Sequence, residues 1–431
     1  ESFFEGLDSW RESLHELEFK DDVSEREQTE SVITFINKFI FIQTLDDHFV
    51  VNFNWIEKRW NQITRDWEHI GGEKVLKKFL NEVNDWYFAY YDTELFDEDE
   101  IDFIELLAED EENISEFYKI LPQILGLEDW QQTSSQKGIT NFNYRQIDED
   151  IFGKAYETSL AERREEEGIY YTEKEVTRYM VEQTVGQTFD EYVSDFHTAV
   201  ENEEFETAKE TLKEMQSLKI IDPACGSGSF LIKAFDVIWE RYQEIIEKLE
   251  EIEYLDFNGS LDISQEDQEN AASVQELRNI VGYENDRKLV AKIILRHIFG
   301  NDKDADALAV AKVNIWLESI KKVPESFRYS NIPRGGGYTL PNLELNLQNG
   351  DALAGLPDEN TINNLKQDHT NTLQNLSSLR NDYISDHTQE GIADNILDEQ
   401  DDLKEKVDEA FKNYLKSEDV STDIFDETIP Q

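Results

Sequence analysis

Apolar side chains follow a helical period through the first third of the chain. Aromatic residues recur at helical spacing in the segments 32–41, 55–67 and 75–91, which is the pattern of a buried helix face. The acidic stretch at 96–100 is typical of a loop between such helices. We therefore predict a wholly helical domain over residues 1–149, with a structural role and no catalytic cluster.

A different pattern follows in the middle of the chain. Short apolar runs at 220–222, 295–304 and 343–347 end in an acidic residue or lead to one, and apolar helical segments follow the first two runs. Such alternation is typical of a mostly parallel sheet flanked by helices. We predict an α/β domain over residues 150–356. Its motif-bearing segments are 168–181, 220–235, 295–320 and 343–353.

The remaining stretches are polar. The segment 256–270 is predicted to be an insertion between the first two strands. The last region, 357–431, is polar with leucines at helical spacing, such as Leu373 and Leu376. This spacing predicts an antiparallel helical hairpin or an extended arm.

Charge is the unusual property of the composition. The chain of 431 residues has 96 acidic and 41 basic side chains, a net charge of −55, yet 39% of it is hydrophobic and it contains 25 Phe, 17 Tyr and 8 Trp. These apolar residues exclude general disorder. The acid is spread along the chain, so we expect a solvated acidic surface and a halophilic source. Such a surface repels DNA unless local basic patches, high salt or further polypeptide provide the contacts.

One cysteine, Cys225, lies within a glycine-containing turn, where a small residue is needed more than a reactive thiol. A single cysteine forms no internal disulfide, which indicates a reducing compartment. No apolar run approaches the length of a membrane span and no secretory start is present. We expect a cytoplasmic protein without a membrane partner. The first residue is Glu, not Met, which indicates an excerpt of a longer polypeptide.

The main chemical signal runs from Asp222 to Phe230, Asp-Pro-Ala-Cys-Gly-Ser-Gly-Ser-Phe. A Gly-x-Gly turn between a strand and a helix lets the backbone approach a ligand at the helix N-terminus. Alone it also fits an ordinary tight turn. A dinucleotide site needs a third glycine, and Leu231 occupies that position, which disfavours nicotinamide chemistry.

The full string resembles the S-adenosylmethionine (AdoMet) motif of DNA adenine methyltransferases, especially the large type IIG restriction-modification enzymes. The resemblance implies an incomplete class I methyltransferase fold, with a Rossmann-like parallel sheet behind a helical connector. It also implies that Asp222, Ala224, Gly226 and Gly228 contact AdoMet near its methionine end. Phe230 would bound the adenine. Metal ligands are not expected.

Two later acidic positions extend the resemblance. An acidic residue at the end of the second strand accepts hydrogen bonds from ribose hydroxyls in this fold. Asp302 is our choice, and Glu284 remains a competitor. The resemblance implies that Asp351, with Ala352 beside it, accepts from the adenine amino group, although Asp351 equally fits a turn after Gly350.

A segment before the glycine motif completes the cofactor set. Gly168-Ile-Tyr-Tyr-Thr-Glu173 resembles the Gly-x-Tyr-Tyr-Thr-Pro stretch of the adenine methyltransferases, with Glu173 in place of proline. The resemblance implies that Tyr171 and Thr172 contact AdoMet, with Thr172 at its carboxylate. Thr172 is also predicted to be the N-cap of the following helix, before the apolar-periodic Val176.

The catalytic motif of the family is missing. No two prolines are adjacent in the chain, so the Asn-Pro-Pro-Tyr motif that receives a flipped adenine is absent. We expect a connector plus the AdoMet-binding half of a methyltransferase acting on duplex DNA, inactive without a further C-terminal catalytic and target-recognition segment. The alternatives are a non-catalytic AdoMet-binding or interaction subunit, an AdoMet enzyme acting on RNA or protein, and an acidic DNA mimic.

Overall fold

The structure is a computed structural model, and the chain forms two compact units. The described residues are 3–67, 69, 71–91, 96, 103–127, 137–147, 172–256, 265–332, 339–352, 359–389 and 391–417. The first unit contains the described residues of Glu1–Tyr171, Gly226–Gly228 and Ala309–Leu340. The second contains those of Thr172–Cys225, Ser229–Leu308 and Pro341–Gln431.

The described residues of the first unit are mostly helical, with one isolated antiparallel bridge between Phe19 and Leu107. Its helices are α1 (Phe3–His15), α2 (Glu25–Asp47), α3 (Trp55–Trp67), α4 (Gly72–Tyr91), α5 (Phe103–Leu106) and α6 (Glu111–Leu125), with short 3₁₀ turns at Ile139–Asn141, Pro324–Phe327 and Tyr329–Asn331.

Aromatic rings form the core of the first unit. Phe39 of α2 stacks on Phe79 of α4 with 6.0 Å between ring centroids, and Trp60 of α3 meets Phe79 edge to face at 5.1 Å. Phe35, one turn before Phe39, packs against Phe103 of α5 at 4.8 Å. The helices therefore meet through rings at the predicted spacing, and offset and edge contacts of this kind add to the hydrophobic stabilisation.

The end of α2 is fixed by two neighbouring carboxylates. Asp46 Oδ2 accepts from the Trp55 N–H at 2.8 Å, and Asp47 Oδ2 accepts from the Tyr144 N–H at 2.6 Å. Burial raises the pKa of Asp46 to about 6, against the opposing effect of its backbone hydrogen bonds. The Asp46 bond closes the loop between α2 and α3, and the Asp47 bond ties the end of α2 to the segment that contains Tyr144.

The second unit is a small parallel sheet among helices. Its helices before the insertion are α7 (Lys174–Val181), α8 (Gln187–Glu201), α9 (Phe205–Ser217) and α10 (Ser229–Asp256), and those after it are α11 (Gln265–Val281), α12 (Asp286–His297) and the first residues of α13 (Ala305–Lys322). The strands are β1 (Ile220–Asp222), β2 (Ile298–Asp302) and β3 (Leu347–Asn349). Helices α14 (Glu359–Asp368), α15 (Thr370–Ser385) and α16 (Ile392–Ser417) follow.

The three described strands pair in the order β1-β2-β3, all parallel. Asp222 is in register with Gly300, and Asp302 with Asn349. A mostly helical α/β fold is thus confirmed. Within the described sheet β1 and β3 are the edges, and long helical connections join the strands, as parallel pairing requires.

The third strand lies later than predicted. The alternating run 343–347 folds as a 3₁₀ turn, Leu343–Leu345, because the Asn342 side chain accepts from the Glu344 N–H at 2.8 Å and starts a turn. Leu343 and Leu345 are buried in that turn, which explains their apolar character. The strand prediction over 343–347 was therefore wrong, and β3 begins at Leu347.

A buried histidine joins the amino ends of β1 and β2. His297, which directly precedes β2, donates from Nδ1 to the Leu218 carbonyl at 2.8 Å, since a carbonyl can only accept. Its Nε2 then accepts from the Tyr242 hydroxyl of α10 at 2.9 Å. Burial lowers the pKa of His297 to about 4, so the ring is neutral at pH 7.

A second buried network surrounds the residue before β3. The Asn346 side-chain amide donates to the carbonyls of Ile294 at 3.0 Å and Ile298 at 2.6 Å. Arg380 of α15 donates to Asn346 Oδ1 at 2.7 Å and to the Leu345 carbonyl at 3.0 Å. One arginine of the C-terminal helices thus anchors them to the amino end of the sheet.

The last two C-terminal helices pack against each other. Helices α15 and α16 contact each other, and Asn375 of α15 donates to Glu399 of α16 at 3.1 Å. Buried Tyr383 joins Ala393 and Ile396 in one apolar cluster. Within the described parts of the chain, no helix is long and apolar enough to cross a membrane.

Candidate functional site

Acidic side chains gather where the strands of the second unit end. Asp222 is the last residue of β1, Asp302 is the last of β2, and Asp351 lies two residues beyond β3. The carboxyl ends of neighbouring parallel strands share one edge of a sheet, which is where α/β proteins bind ligands. Three of the predicted cofactor residues therefore lie at this edge.

Asp222 is half-buried and carries a perturbed pKa. Its Oδ1 accepts from the Ala224 N–H at 3.1 Å, a bond within the turn itself. Burial raises the pKa of Asp222, the Ala224 N–H opposes that shift, and the charge of Asp302 raises the pKa further. The two carboxylates thus repel each other across the ends of β1 and β2.

Asp302 connects the ends of β2 and β3. Its Oδ1 accepts from the Asp304 N–H at 2.9 Å, and its carbonyl accepts from the Gly350 N–H at 2.9 Å and from the Asn349 amide at 3.0 Å. These bonds extend the pairing of β2 and β3 past the last ladder position. They place Asp351, which is exposed, directly after a fixed turn.

The preceding residue, Asn301, links all three strand ends. Its carbonyl accepts from the Cys225 N–H after β1 at 3.0 Å, and its side-chain amide donates to the Gly350 carbonyl after β3 at 2.6 Å. Sequence reasoning missed this residue. The available signal was its place beside Asp302 at a strand end, where an amide can both donate and accept.

The glycine turn has the backbone that its sequence predicts. Gly226 has φ +51° and Gly228 has φ +88°, a left-handed region that strains other residues. Within the first unit, Asn314 of α13 donates to the Ser227 carbonyl at 3.0 Å, and a Cβ on Gly228 would lie 3.1 Å from the Ala311 Cβ. The chain then enters α10 at once, with half-buried Phe230 in its first turn.

A third glycine, Gly300 in β2, is required by packing. A Cβ there would lie 2.8 Å from Leu231 Cδ1 and 2.9 Å from both Cys225 Sγ and Leu347 Cδ2. Sequence reasoning missed this requirement, although a glycine inside a strand indicates a close approach. Burial raises the pKa of Cys225 to about 12, with the Asp222 and Asp302 charges adding to the shift. The thiol is therefore protonated at pH 7, as expected for a packing residue.

The segment before α7 differs from its prediction. Tyr171 lies outside the described residues, and Thr172 is half-buried. The N-cap is Glu173 and not Thr172, because Glu173 is the last extended residue (ψ 138°) and its carbonyl accepts the first helical bonds, from Val176 and Thr177. The N-cap prediction for Thr172 was wrong by one position. Ala352 lies at the carboxyl end of the strands and is exposed.

Glu284, the competitor of Asp302, lies between α11 and α12 and ends no strand. It forms ion pairs with Lys288 at 2.8 Å and Lys292 at 3.4 Å. The Lys288 hydrogen bond is the main cause that lowers the pKa of Glu284. This carboxylate has a structural role at the start of α12.

The chemistry of the strand ends restricts the ligand. Two repelling carboxylates, Asp222 and Asp302, favour a ligand that brings positive charge and hydroxyl donors. A pyrophosphate would add negative charge beside these carboxylates, so a dinucleotide is disfavoured. The sequence gives a second reason, because Leu231 stands where a dinucleotide motif needs its third glycine. An ammonium group and a ribose diol satisfy these acceptors, while the N-terminus of α10 offers N–H donors.

Part of the chain is similar to known proteins. Residues 197–341 match the family described as MmeI, DNA-methyltransferase domain. A protein of Methanocaldococcus jannaschii assigned as a type II restriction enzyme and methyltransferase is 29% identical over 240 residues, which are 50% of this chain and 17% of that relative. Residues 197–341 of this chain are therefore similar to a DNA-methyltransferase domain. No solved structure gives a significant match.

The matched range of the methyltransferase domain contains part of the candidate site. It includes β1, the glycine turn, β2 and both of the repelling carboxylates, Asp222 and Asp302. Thr172, Asp351 and Ala352 lie outside it. The family match therefore agrees with the recognition drawn from the glycine motif and does not test the outer positions.

Proposed function

We propose that the methyltransferase domain binds AdoMet at the carboxyl ends of β1, β2 and β3, and that it is part of an adenine-specific DNA methyltransferase with a class I fold. One observation carries this proposal. Asp222 and Asp302 end adjacent parallel strands, and the first of them opens a two-glycine turn into α10. A methyltransferase of this arrangement takes its methyl group from AdoMet.

Each candidate residue has a role that fits its position. Asp222 accepts from the ammonium group of the methionine moiety, with Ala224 beside it. Asp302 accepts from the ribose diol. Asp351 accepts from the adenine amino group, with Ala352 beside it.

The adenine and carboxylate ends of the cofactor have further candidates. Phe230, half-buried in the first turn of α10, bounds the adenine ring. Thr172 donates to the methionine carboxylate, and the resemblance implies that Tyr171, outside the described residues, also contacts AdoMet. These roles rest on the resemblance and on the exposure of Thr172 and Phe230 alone.

The exposed β1 edge of the described sheet supports the proposal that a further segment with the catalytic motif pairs there. Ile221 in β1 is 68% exposed, although parallel strands normally bury their apolar side chains. Val176, Tyr179 and Met180 of α7 are also exposed, contrary to the buried stripe that their spacing suggests. We propose that a further parallel strand pairs with β1 and brings the Asn-Pro-Pro-Tyr motif, from the same polypeptide or from a partner subunit.

The same edge supports the second candidate function. If the strand comes from another chain, this protein is an AdoMet-binding subunit without catalytic residues of its own. Mixing experiments distinguish the two, because only the subunit gains methyltransferase activity from a separately made partner. At high salt, screening weakens the repulsion between the acidic surface and the DNA phosphates, so that the domain can approach DNA.

A ribose-specific titration tests the cofactor site. AdoMet and an analogue without the ribose hydroxyls are titrated by calorimetry at molar salt into the wild type, Asp302→Ala and Glu284→Ala. We expect Asp302→Ala to weaken AdoMet binding about 10- to 100-fold, because hydrogen bonds to a charged group are lost. Glu284→Ala should leave it unchanged.

The analogue should bind the wild type and Asp302→Ala equally, since it lacks the groups that Asp302 contacts. Equal loss of both ligands on Asp302→Ala would contradict a ribose role. A folded wild type that binds neither ligand would contradict the proposed function.

A further inference from the structure

The loop between α2 and α3, residues 48–54, exposes two large aromatic side chains in the first unit. Phe49 is 52% exposed and Phe53 is 62% exposed. Between them, Val50 and Val51 are buried. Phenylalanine is among the residues most often buried, so two exposed rings on one short loop indicate a contact surface.

The loop is held rigidly from within the same unit. The Tyr329 N–H donates to the Val50 carbonyl at 3.1 Å, and the Tyr329 hydroxyl donates to Asn52 Oδ1 at 3.1 Å. Tyr329 packs in turn against Trp86 at 5.8 Å between centroids. The buried valines and Tyr329 thus fix the backbone of the loop, and Phe49 and Phe53 are exposed on it.

The backbone of the loop is unfavourable at the exposed aromatic residue. Phe49 has φ +59° and Asn54 has φ +57°. Asparagine tolerates the left-handed region, whereas phenylalanine rarely adopts it. The conformation of Phe49 ends α2, because the Phe49 N–H donates to the Asp46 carbonyl at 2.9 Å and the Val50 N–H to the Leu45 carbonyl at 2.9 Å. Glycine is the usual residue at this position, so helix termination explains the backbone and does not explain an exposed phenylalanine there.

Cationic side chains lie beside this loop in a protein that is otherwise strongly acidic. The Arg145 guanidinium lies 4.4 Å from the Phe49 ring centroid. Burial lowers the pKa of His48 to about 4, and the charges of Lys321 and Arg145 add to the shift, which places both cations beside the loop. Lys58 donates to the Phe53 carbonyl.

The loop itself contains no acidic residue, and the two preceding aspartates are engaged by backbone N–H groups. Neither Arg145 nor Lys321 forms an ion pair with a carboxylate in the described part of the chain. In a chain of net charge −55, this is a local site where an anionic polymer can approach.

We propose that the 48–54 loop is a contact site for duplex DNA, in which Arg145 and Lys321 neutralise backbone phosphates and Phe49 stacks against or between bases. Cations flanking an exposed aromatic ring are the features that bind phosphates and unstacked bases. This inference rests on the proposed DNA substrate, yet it concerns the helical unit and uses no residue of the cofactor site.

The test is duplex binding by the full chain, measured by fluorescence anisotropy between about 50 and 200 mM salt. The variants are Arg145→Gln, Lys321→Gln and Phe49→Gly. Lys404→Gln, an exposed lysine on α16 paired with Asp401, is the charge control. Asn54→Gly, also left-handed and in the same loop, is the backbone control.

We expect each cation variant to bind about fivefold more weakly and to lower the slope of log affinity against log salt by about one. Phe49→Gly should bind about tenfold more weakly with an unchanged slope. A 2-aminopurine base in the duplex should lose its binding-dependent fluorescence increase with this variant. Both controls should match the wild type.

Phe49→Gly also separates function from folding. Glycine adopts the left-handed backbone without strain, so the variant should fold. Its melting temperature should fall only by the small amount that loss of the cation–π contact with Arg145 explains. Calorimetric AdoMet binding should be unchanged in all loop variants. If the wild type binds AdoMet but the loop variants bind DNA as well as the wild type does, this inference is overturned and the proposed function stands. Binding of a protein by the loop in place of DNA would also overturn this inference.

Discussion

The two ends of the parallel sheet use polar side chains in opposite ways. At the amino ends of the strands, His297 and Asn346 are buried and bond to groups on other elements, including Tyr242 and Arg380. At the carboxyl ends, Asp222 and its neighbours are partly exposed, and the bonds described for the carboxylates come from N–H groups two residues further along.

The difference separates stability from binding. Buried groups with several distant partners are costly to remove, because their partners are left unsatisfied. Two neighbouring carboxylates, Asp222 and Asp302, repel each other and gain from a ligand that neutralises or hydrogen-bonds them. The polar groups described at the amino end therefore stabilise the sheet, whereas the Asp222 and Asp302 carboxylates at the carboxyl end leave negative charge that a ligand can neutralise.

Asn346→Ala should give the largest effect, at the amino end. It removes the amide that donates to the Ile294 and Ile298 carbonyls and leaves Arg380 without its side-chain acceptor. We expect the free energy of unfolding to fall by about 4 kcal/mol in urea titrations at fixed salt. Asn375→Ala, on the exposed face of α15, is the control and should cost less than about 0.5 kcal/mol. A loss for Asn346→Ala that is no larger than the control would contradict the assignment.

His297 should make the amino end sensitive to acid. Its pKa falls from 6.5 in the unfolded chain to about 4 in the fold, so the unfolded state binds the proton first as pH drops. The stability it contributes is therefore present above pH 6.5 and is lost as pH falls toward 4, by up to about 3 kcal/mol. The His297 ring should titrate near pH 4 in NMR spectra, with its proton on Nδ1 at pH 7. Titration near pH 6.5 in the folded protein would refute the buried network.

Gly300→Ala should disturb the middle of the sheet. The new Cβ would press on Leu231, Cys225 and Leu347, and overpacking of this kind costs about 2 kcal/mol. Gly350→Ala is the matched control, because its nearest neighbour would be Asn301 Oδ1 at 3.5 Å. Thermal unfolding of the two variants compares them directly, and equal melting temperatures would show that the close approach is unimportant.

Asp222→Asn should have the smallest effect on stability and the opposite sign. The raised pKa of Asp222 means that its ionised form destabilises the fold, so the contribution worsens as pH rises through that pKa. Asparagine keeps the acceptor for the Ala224 N–H and removes the repulsion with Asp302. We expect the variant to gain up to about 1 kcal/mol at pH 8 and nothing at pH 3, measured by urea unfolding. A loss of stability at pH 8 would mean that the charge has a structural partner.

The sequence predicts the carboxyl end of the sheet better than the amino end. The glycine turn, Asp222 and Asp302 are found because each signal lies within a few residues of a strand end. Asn301 and Asn346 are missed because their partners lie about 50 residues away in the chain, which no local pattern records.

The remaining errors have local causes. Leu343 and Leu345 alternate because a 3₁₀ turn buries them, not because a strand does. The apolar spacing of Val176 and Tyr179 predicts a buried face, yet both are exposed on α7. An apolar pattern predicts which residues are buried. It does not show which part of the protein, or which partner, buries them.

The central claim is the proposal that Asp222, at the carboxyl end of the sheet, binds AdoMet although its ionised form does not stabilise the fold. Calorimetric titration of AdoMet at molar salt into the wild type and Asp222→Asn tests it most directly. We predict that the wild type binds and that Asp222→Asn binds at least about tenfold more weakly, because a charged acceptor is lost, while its stability is equal or higher. Equal affinity in the two proteins, or no binding by a folded wild type, would contradict the account.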